Sequence, residues 1–517
     1  MKKIKSYLRV FILLMASSLV LTSISCSDDD ENNTTTTPVP EPPVPMPPLA
    51  PNVNITTLSN NNSIVVYNAR DLSTPISTTT VNGLPANEML VSIDYRPATG
   101  QLYALGSSSR LYFVNEQSGL ATPLGAASFT PAVDGANASI DFNPTVDRIR
   151  LVTESGQNLR LHPELGTVVA TDGVINGGTN PRIGAIAYSN SLSGAALTML
   201  FDIDFQSDKL YIQNPPNDGG LQAVGDLTVD FQGVGDFDIL ADNSQALAVT
   251  FNNNQSKLYT INLVTGKASD VGTFGLPIVS IAFKTNPVAF ATTAANELLR
   301  FNPTNASSTT VAMTGLMSGE NVVGLDFRPA KGQLYAVTNQ SRLLTVNTAS
   351  GAVTQVGSTL LPALAGTSFG FDFNPTVDRI RLVSNTGQNL RLHPDLGTVV
   401  FTDGNLNPGT PSVNAAAYTN SFASSTATVL YVIDSETNIL YTQNPPNAGT
   451  LVPVGPLGVD VDANSGFDIG GSSNAAFALL KVNNATAIYS INLITGAATK
   501  ISDFNVQPTA MAVGLGF

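Results

Sequence analysis

Two histidines are the residues whose chemistry first asks for an explanation. His162 and His393 are the only ones in 517 residues, and each closes the same stretch. Asp141 to Pro163 reads DFNPTVDRIRLVTESGQNLRLHP, and Asp372 to Pro394 reads DFNPTVDRIRLVSNTGQNLRLHP, identical at 20 of 23 positions. An imidazole can act as general base, proton carrier or metal ligand near neutral pH. Asp141, Arg148, Arg150 and Arg160 accompany His162; Asp372, Arg379, Arg381 and Arg391 accompany His393. Guanidinium and imidazole groups on one strand face could take an anionic or sugar-like ligand at a channel mouth. The same groups could instead pair between packed sheets, because a polar face covered on both sides must be satisfied. Such pairs fix geometry more than they add stability. The expectation is that inter-sheet network, with the ligand pocket as the alternative. One His per copy, without a second His or Cys nearby, makes a poor zinc site. A local hydrogen bond closing the turn before Pro163 or Pro394 is the expected role.

Other candidates are weaker. Asp460, Asp462, Asn464 and Asp468 alternate oxygen ligands in a way that could hold Ca2+. The matching stretch Asp230 to Asp238 lacks that spacing, and Asp202, Asp204 and Asp208 form a looser set. Solvated acidic turns are the expected reading, and no other cofactor is expected. Gly366-Thr367-Ser368-Phe369-Gly370 matches the GxSxG pattern but precedes a strand instead of forming a strand-to-helix elbow. Asn137 replaces Ser368 in the other copy, so no catalytic residue is assigned. No Walker loop, dinucleotide fingerprint or HExxH helix is present.

The elements that must position these residues come in two copies. Asp94-Tyr95-Arg96-Pro97 matches Asp326-Phe327-Arg328-Pro329, and Gln213 to Asn217 (QNPPN) matches Gln443 to Asn447. Within each copy, short apolar/polar alternations are separated by turn residues, four per unit of about forty residues, which reads as β-propeller blades. Full units fall near 89–125, 138–172, 183–226 and 235–274, and again near 321–357, 369–403, 412–455 and 466–503. Turns of the type NxxTG or NxxSG recur at Asn115–Gly119, Asn262–Gly266, Asn347–Gly351 and Asn492–Gly496. Asn and Gly tolerate the positive φ a tight hairpin needs. Each copy also opens with three strand-like segments and closes with one, which together make a fifth unit and hide a sheet edge. The expected fold is all-β: two tandem five-bladed propellers with four-stranded blades, or one ten-bladed ring. The expected boundaries are 1–25 signal peptide, 26–51 tether, 52–285 first copy and 286–517 second copy.

The N-terminus points to export. Lys2, Lys3, Lys5 and Arg9 precede an apolar run from Val10 to Val20 that is short for a membrane span. Cys26, the only cysteine, follows small residues in a loose lipobox. Its expected fate is acylation with palmitate-type chains, which anchor durably when there is more than one. It leaves no internal disulfide possible. Ser27-Asp28-Asp29-Asp30-Glu31 resembles the surface-export signal of Bacteroidetes lipoproteins, and a Thr/Pro-rich spacer follows to Pro51. An outer membrane lipoprotein facing the cell surface is therefore expected. The net charge of −14 repels nucleic acid phosphates, so the membrane, through the lipid, and an unknown protein or glycan are the expected partners.

The signature, the NPPN turn and the blade spacing together resemble the bacterial family called domain of unknown function 4394, over nearly all of 52–517, twice. Members are secreted or surface proteins that often carry the domain more than once. The family has no established activity, so the resemblance implies no site. The functional expectation is a binding or scaffold module; the alternative is a propeller enzyme, hydrolase or lyase, acting on extracellular glycans.

Overall fold

The computed structural model describes residues 50–462 and 466–517. The signal, Cys26 and most of the tether lie outside them. The described chain forms ten four-stranded antiparallel sheets. Two single 3-10 turns, Pro216–Asp218 and Pro446–Ala448, are its only helical segments. Both fall in the QNPPN motif.

The signature shows why these residues make strands. In Arg148–Thr153, Ile149 and Leu151 face a buried cluster with Tyr103, Phe142, Leu159 and Leu161. Val152 faces the other way, into a cluster with Ile186, Tyr188 and Leu200 of the next sheet. Period-two alternation thus buries both faces, each against a different neighbour. Burial of a Leu or Ile side chain contributes roughly 1.5–3 kcal/mol, so each sheet is held chiefly by its two neighbours. The fourth strands, such as Val168–Thr171, are largely exposed. At the hairpin after Arg110–Val114, Asn115 Oδ1 accepts from the backbone N–H of Gln117 and Ser118 at 3.0 and 2.9 Å, and Gly119 takes φ +71°. The other three NxxTG or NxxSG turns close the same way.

In the first copy the complete blades begin with inner strands Leu90–Tyr95, Ala138–Asn143, Ile183–Tyr188 and Val234–Ile239. The remaining blade combines Ile278–Ala282, from the end of the copy, with Asn54–Ser59, Ser63–Asn68 and Ser77–Thr80 from its start. The second copy repeats this: Val322–Arg328, Phe369–Asn374, Val413–Tyr418 and Gly466–Ile469 open four blades, and Pro508–Val513 pairs with Ala289–Thr293 to complete the fifth. The five inner strands of each copy contact one another in cyclic order. Each ring therefore closes on itself. The ten-bladed alternative fails because both terminal strands pair within their own copy.

The copies meet where turns of the first copy's second blade pack against the second blade, last blade and C-terminal segment of the second copy. Arg96 Nη1 donates to Gly332 O at 2.8 Å, Gly516 N to Thr99 O at 2.8 Å, and Gln117 Nε2 to Ser472 O at 2.7 Å. Gly100 (φ +71°) lies against the Phe517 ring, where an added Cβ would come within 2.3 Å of Cζ. The contact is not symmetric, since the C-terminus fills one side of it.

Candidate functional site

The signature residues form a row across one blade. Asp141, Arg150 and Arg160 are register partners on consecutive strands, so they share a sheet face from axis to rim. Arg150, buried, donates to Asn158 Oδ1 (2.7 Å), Asp172 Oδ2 (2.6 Å) and Asn217 Oδ1 (2.8 Å). Arg160 grips Asp172 with two hydrogen bonds of 2.7 and 2.9 Å. Although burial raises the Asp172 carboxyl, the Arg160 and Arg150 guanidinium groups hold it below its usual range. The second copy reproduces this: Arg381 reaches Asn389, Asp403 and Asn447, and Arg391 grips Asp403 while lying 4.1 Å from the Phe401 ring centroid. The QNPPN turn is the other half of the lock. Asn158 Nδ2 donates to Pro216 O, and Asn389 Nδ2 to Pro446 O, both at 3.0 Å.

Among the described residues Arg148 and Arg379 bond only to backbone carbonyls, Arg148 to Asp147 O and Arg379 to Val377 O and Asp378 O. His162 Nδ1 accepts from Glu164 N at 3.2 Å, and His393 Nδ1 from Asp395 N at 3.3 Å. Each closes its turn locally. Burial, then the cations of Arg148 and Arg96, lower His162 to about 4, so its imidazole is neutral at pH 7. The Arg150 and Arg160 groups thus converge on Asp172, whereas Arg148 and His162 stand apart at the turn.

Asp141 and Asp372 belong to a different arrangement. Carboxylate oxygens of Asp94, Asp141 and Asp238 lie within 4.8 Å of one another on the axis of the first ring, as do those of Asp326, Asp372 and Asp468 in the second. All six are buried. Each accepts a backbone N–H from the next blade: Asp94 from Phe142 (2.8 Å), Asp141 from Tyr188 (3.1 Å) and Asp238 from Phe283 (2.5 Å). Phe373, Tyr418 and Val513 donate in the same way to Asp326, Asp372 and Asp468. Burial pushes all six groups up, and repulsion from a neighbouring carboxylate adds to it for Asp94, Asp141, Asp238, Asp326 and Asp372; Asp238 and Asp468 reach about 7. Asp372 and Asp468 share a hydrogen bond, which requires a proton between two carboxylates. Three carboxylates suit a hard cation, but Ca2+ wants about 6–8 oxygens. The remaining two places in each layer are Ala187 and Ala282, or Ala417 and Ala512, which offer none. The arrangement works as a clasp between blades, each carboxyl held by a backbone N–H of the next.

The layer two residues earlier separates the copies. In the first, Ser92, Ser139 and Ser280 all donate to Asp236. Each serine also accepts from the next blade, from Ile140 N, Ile186 N and Ile93 N respectively. Burial raises Asp236 to about 7 although the serines and a backbone N–H act to lower it. In the second copy the four matching places are Gly324, Gly370, Gly466 and Ala510. The inner strands approach so closely there that an added Cβ at Gly466 would lie 2.4 Å from Met511 Cβ.

The Ca2+ candidates do not gather. Asp468 is buried on the axis, Asp460 and Asp462 are exposed on a loop, and Asn464 lies outside the described residues. Asp460 instead accepts from Asn438 Nδ2 at 2.8 Å. Asp204 caps its own turn through Gln206 N and Ser207 Oγ, away from Asp202, whose two oxygens are buried without a hydrogen-bond partner among the described residues.

Sequence reasoning missed the acceptors Asp172 and Asp403, although Thr-Asp-Gly recurs at 171–173 and 402–404. It also missed Arg96 and Arg328. Arg96 is wholly buried, donating to Asp147 Oδ1 at 2.8 Å and Glu164 Oε1 at 3.0 Å. Arg328 makes the matching pairs with Asp378 and Asp395 in a more open setting.

Two closed wheels, each with a carboxylate-filled axis and an arginine-latched third blade, define a tandem five-bladed β-propeller protein. The chain belongs to the family described as domain of unknown function DUF4394, whose profile matches residues 63–282 and again 297–514. No curated protein is similar enough to count as a match. Among solved structures, the extracellular domain of the putative one component system BT4673 from B. thetaiotaomicron is similar over 88% of this chain, at 12% identity and a TM-score of 0.27. This chain spans 65% of the length of that one. Among the described residues no helix is long and apolar enough to cross a membrane.

Proposed function

We propose that the protein is a binding or scaffold module displayed at the cell surface and anchored through lipid on Cys26. One observation carries this reading. The side chains best suited to chemistry in the duplicated signature, Arg150, Arg160 and Asp141 with their second-copy equivalents, are engaged inside the fold by Asp172, Asp403 and the axial clusters. The axis that hosts active sites in many propellers is occupied by carboxyls already bonded to backbone. What the molecule offers outward is two rigid wheels and the recess between them. Rigid surfaces suit recognition, because little ordering entropy is lost on binding.

The test has two arms. Protease treatment of intact cells should release the propellers from the outside. The full chain should then retain a glycan or protein from a defined screen without altering it. Resistance to shaving would overturn the surface placement, and turnover of a screened glycan would replace binding with catalysis.

A further inference from the structure

The second copy carries one buried arginine that the repeat does not account for. Arg300 sits on Glu297–Asn302, and the register puts Val66 at its place in the first copy. Its side chain is only 6% exposed. Nε donates to Thr348 O at 2.8 Å and Nη2 to Ala349 O at 2.5 Å. Nη1 has no acceptor among the described residues, and no carboxylate there pairs with the group. Every other buried arginine named above has a carboxylate partner. Burial pulls the Arg300 guanidinium down from its ordinary value, with only the more distant Asp147 opposing. An isolated cation held this way asks for an anion.

Arg300 lines a recess of about 280 Å³ between the two propellers. That volume is close to the lower end of small-molecule sites, about 300 Å³. Its walls come from four places: Pro97 and the Ser191–Ser193 loop of the first copy, the link Thr285–Val288, and the hairpin from Arg300 to Thr309. Gly194 lets the first loop cross beside the guanidinium; a Cβ there would lie 2.2 Å from Nη1. The lining is otherwise neutral. Ser193, Asn302, Asn305 and Ser307 offer hydroxyls and amides that can both donate and accept, and Leu192 and Val288 offer an apolar side. No Asp or Glu lines it, so an ammonium group would meet no opposite charge and would face the Arg300 cation. A carboxylate beside several hydroxyls would find all of its groups matched.

We propose that this recess binds a carboxylate-bearing sugar, its carboxylate on Nη1 of Arg300 and its hydroxyls on the Ser and Asn side chains around it. The proposal rests on the binding-module reading and gives it a location and a ligand class.

The probes are glucuronate, glucose and inorganic sulfate, titrated calorimetrically into the full chain. Glucuronate is expected to bind at least roughly tenfold more tightly than either of the others, since each lacks half of the matched set. Arg300→Val, which installs the first copy's residue, should weaken glucuronate by a similar factor. Ser307→Asp, at an exposed rim position, should weaken it by repulsion without touching the packed guanidinium, and serves if Arg300→Val does not fold. Equal binding of glucose, equal binding of sulfate, or unchanged affinity in a folded variant would overturn the proposal. If glucuronate fails while the broader screen yields another ligand, the recess assignment falls and the binding module stands. If the screen is also empty, both fall.

Discussion

Thr348 of the second propeller donates its hydroxyl to Asp147 Oδ2 of the first at 2.8 Å. Asp147 is in turn the partner of Arg96, so one side chain links the signature turn, the second blade and the other copy. The repeated sequence thereby acquires two environments. The Asp147 side chain is 9% exposed, whereas its equivalent Asp378 is 35% exposed. Both hold a positive φ, +51° and +49°, which Asp tolerates better than most residues.

The same substitution should therefore have unequal effects. Asp147→Ala leaves a fully buried guanidinium short of a partner and removes the inter-propeller contact. A loss of about 3 kcal/mol is expected, in line with breaking buried ion pairs. Asp378→Ala removes a carboxylate that is itself 35% exposed and leaves the buried Arg328 its bond to Asp395, so it should cost less than Asp147→Ala. Denaturant unfolding of the two variants measures the difference, and equal losses would contradict an asymmetric interface.

The Asp236 cradle gives a second prediction. Asp236→Ala leaves the hydroxyls of Ser92, Ser139 and Ser280 without their acceptor in a closed layer. Each buried unsatisfied group costs about 1–3 kcal/mol, so a destabilisation of at least about 3 kcal/mol is expected. Replacing all four residues by their second-copy equivalents, Ser92→Gly, Ser139→Gly, Asp236→Gly and Ser280→Ala, removes donors and acceptor together. It should be milder than the single change by thermal melting. A single change no worse than an exposed Asp→Ala would show that the cradle does not close the ring.

How much of this was legible in the sequence follows from what a repeat can carry. Period-two alternation and the NxxTG or NxxSG turns are local, and the duplication exposes blade length and the shared terminal blade. Five four-stranded blades per copy were therefore readable from residues alone, but whether the terminal strands pair within a copy or across copies, which decides between two rings and one, came from the strand register. The destination of Asp141 was not. It shares a face with Arg150 and Arg160, as the alternation implies, but the inner strand carries it to the axis, where Asp94 and Asp238 come from other blades. Partners across blades leave no spacing signal in one sequence. Arg300 and the Ser92, Ser139, Asp236 and Ser280 set were visible only as departures from the repeat. Positions where the copies agree built the wheel, and positions where they differ mark what is particular to each.

The pH dependence follows from the axial carboxyls. A carboxyl whose folded pKa is raised holds its proton more tightly in the folded chain than in the unfolded one. Its contribution is greatest below the unfolded value near 4 and falls as pH climbs. For Asp236, Asp238 and Asp468, raised to about 7, the fall runs from about pH 4 to about 7. Asp147, Asp172 and Asp403 are held low by guanidinium groups and act in the opposite direction, but only as pH drops below about 4. The unfolding midpoint in denaturant should accordingly be higher at pH 4.5 than at pH 7.5. A midpoint that climbs over that interval would mean that the axial groups are ionised and stabilised by something other than protons.

Asp202 offers a substitution expected to improve the protein. It is fully buried on Leu200–Asp204, and neither carboxyl oxygen has a hydrogen-bond partner among the described residues. Burial raises it well above the ordinary carboxyl range, with only a Coulombic pull from Arg150 against that. The register places Val432 at the same position in the second copy, where it packs with Val383, Ala416 and Leu430. The fold therefore already accommodates a branched apolar side chain there. Asp202→Val removes an unsatisfied polar group, whose burial costs about 1–3 kcal/mol, and adds apolar contact with Ile186 and Tyr211. Stability should rise by about 1 kcal/mol or more at pH 7.5, with a smaller gain at pH 4.5, where the carboxyl takes up its proton on folding at less cost. A variant less stable than the parent at both pH values would show that Asp202 holds a partner that offsets its burial.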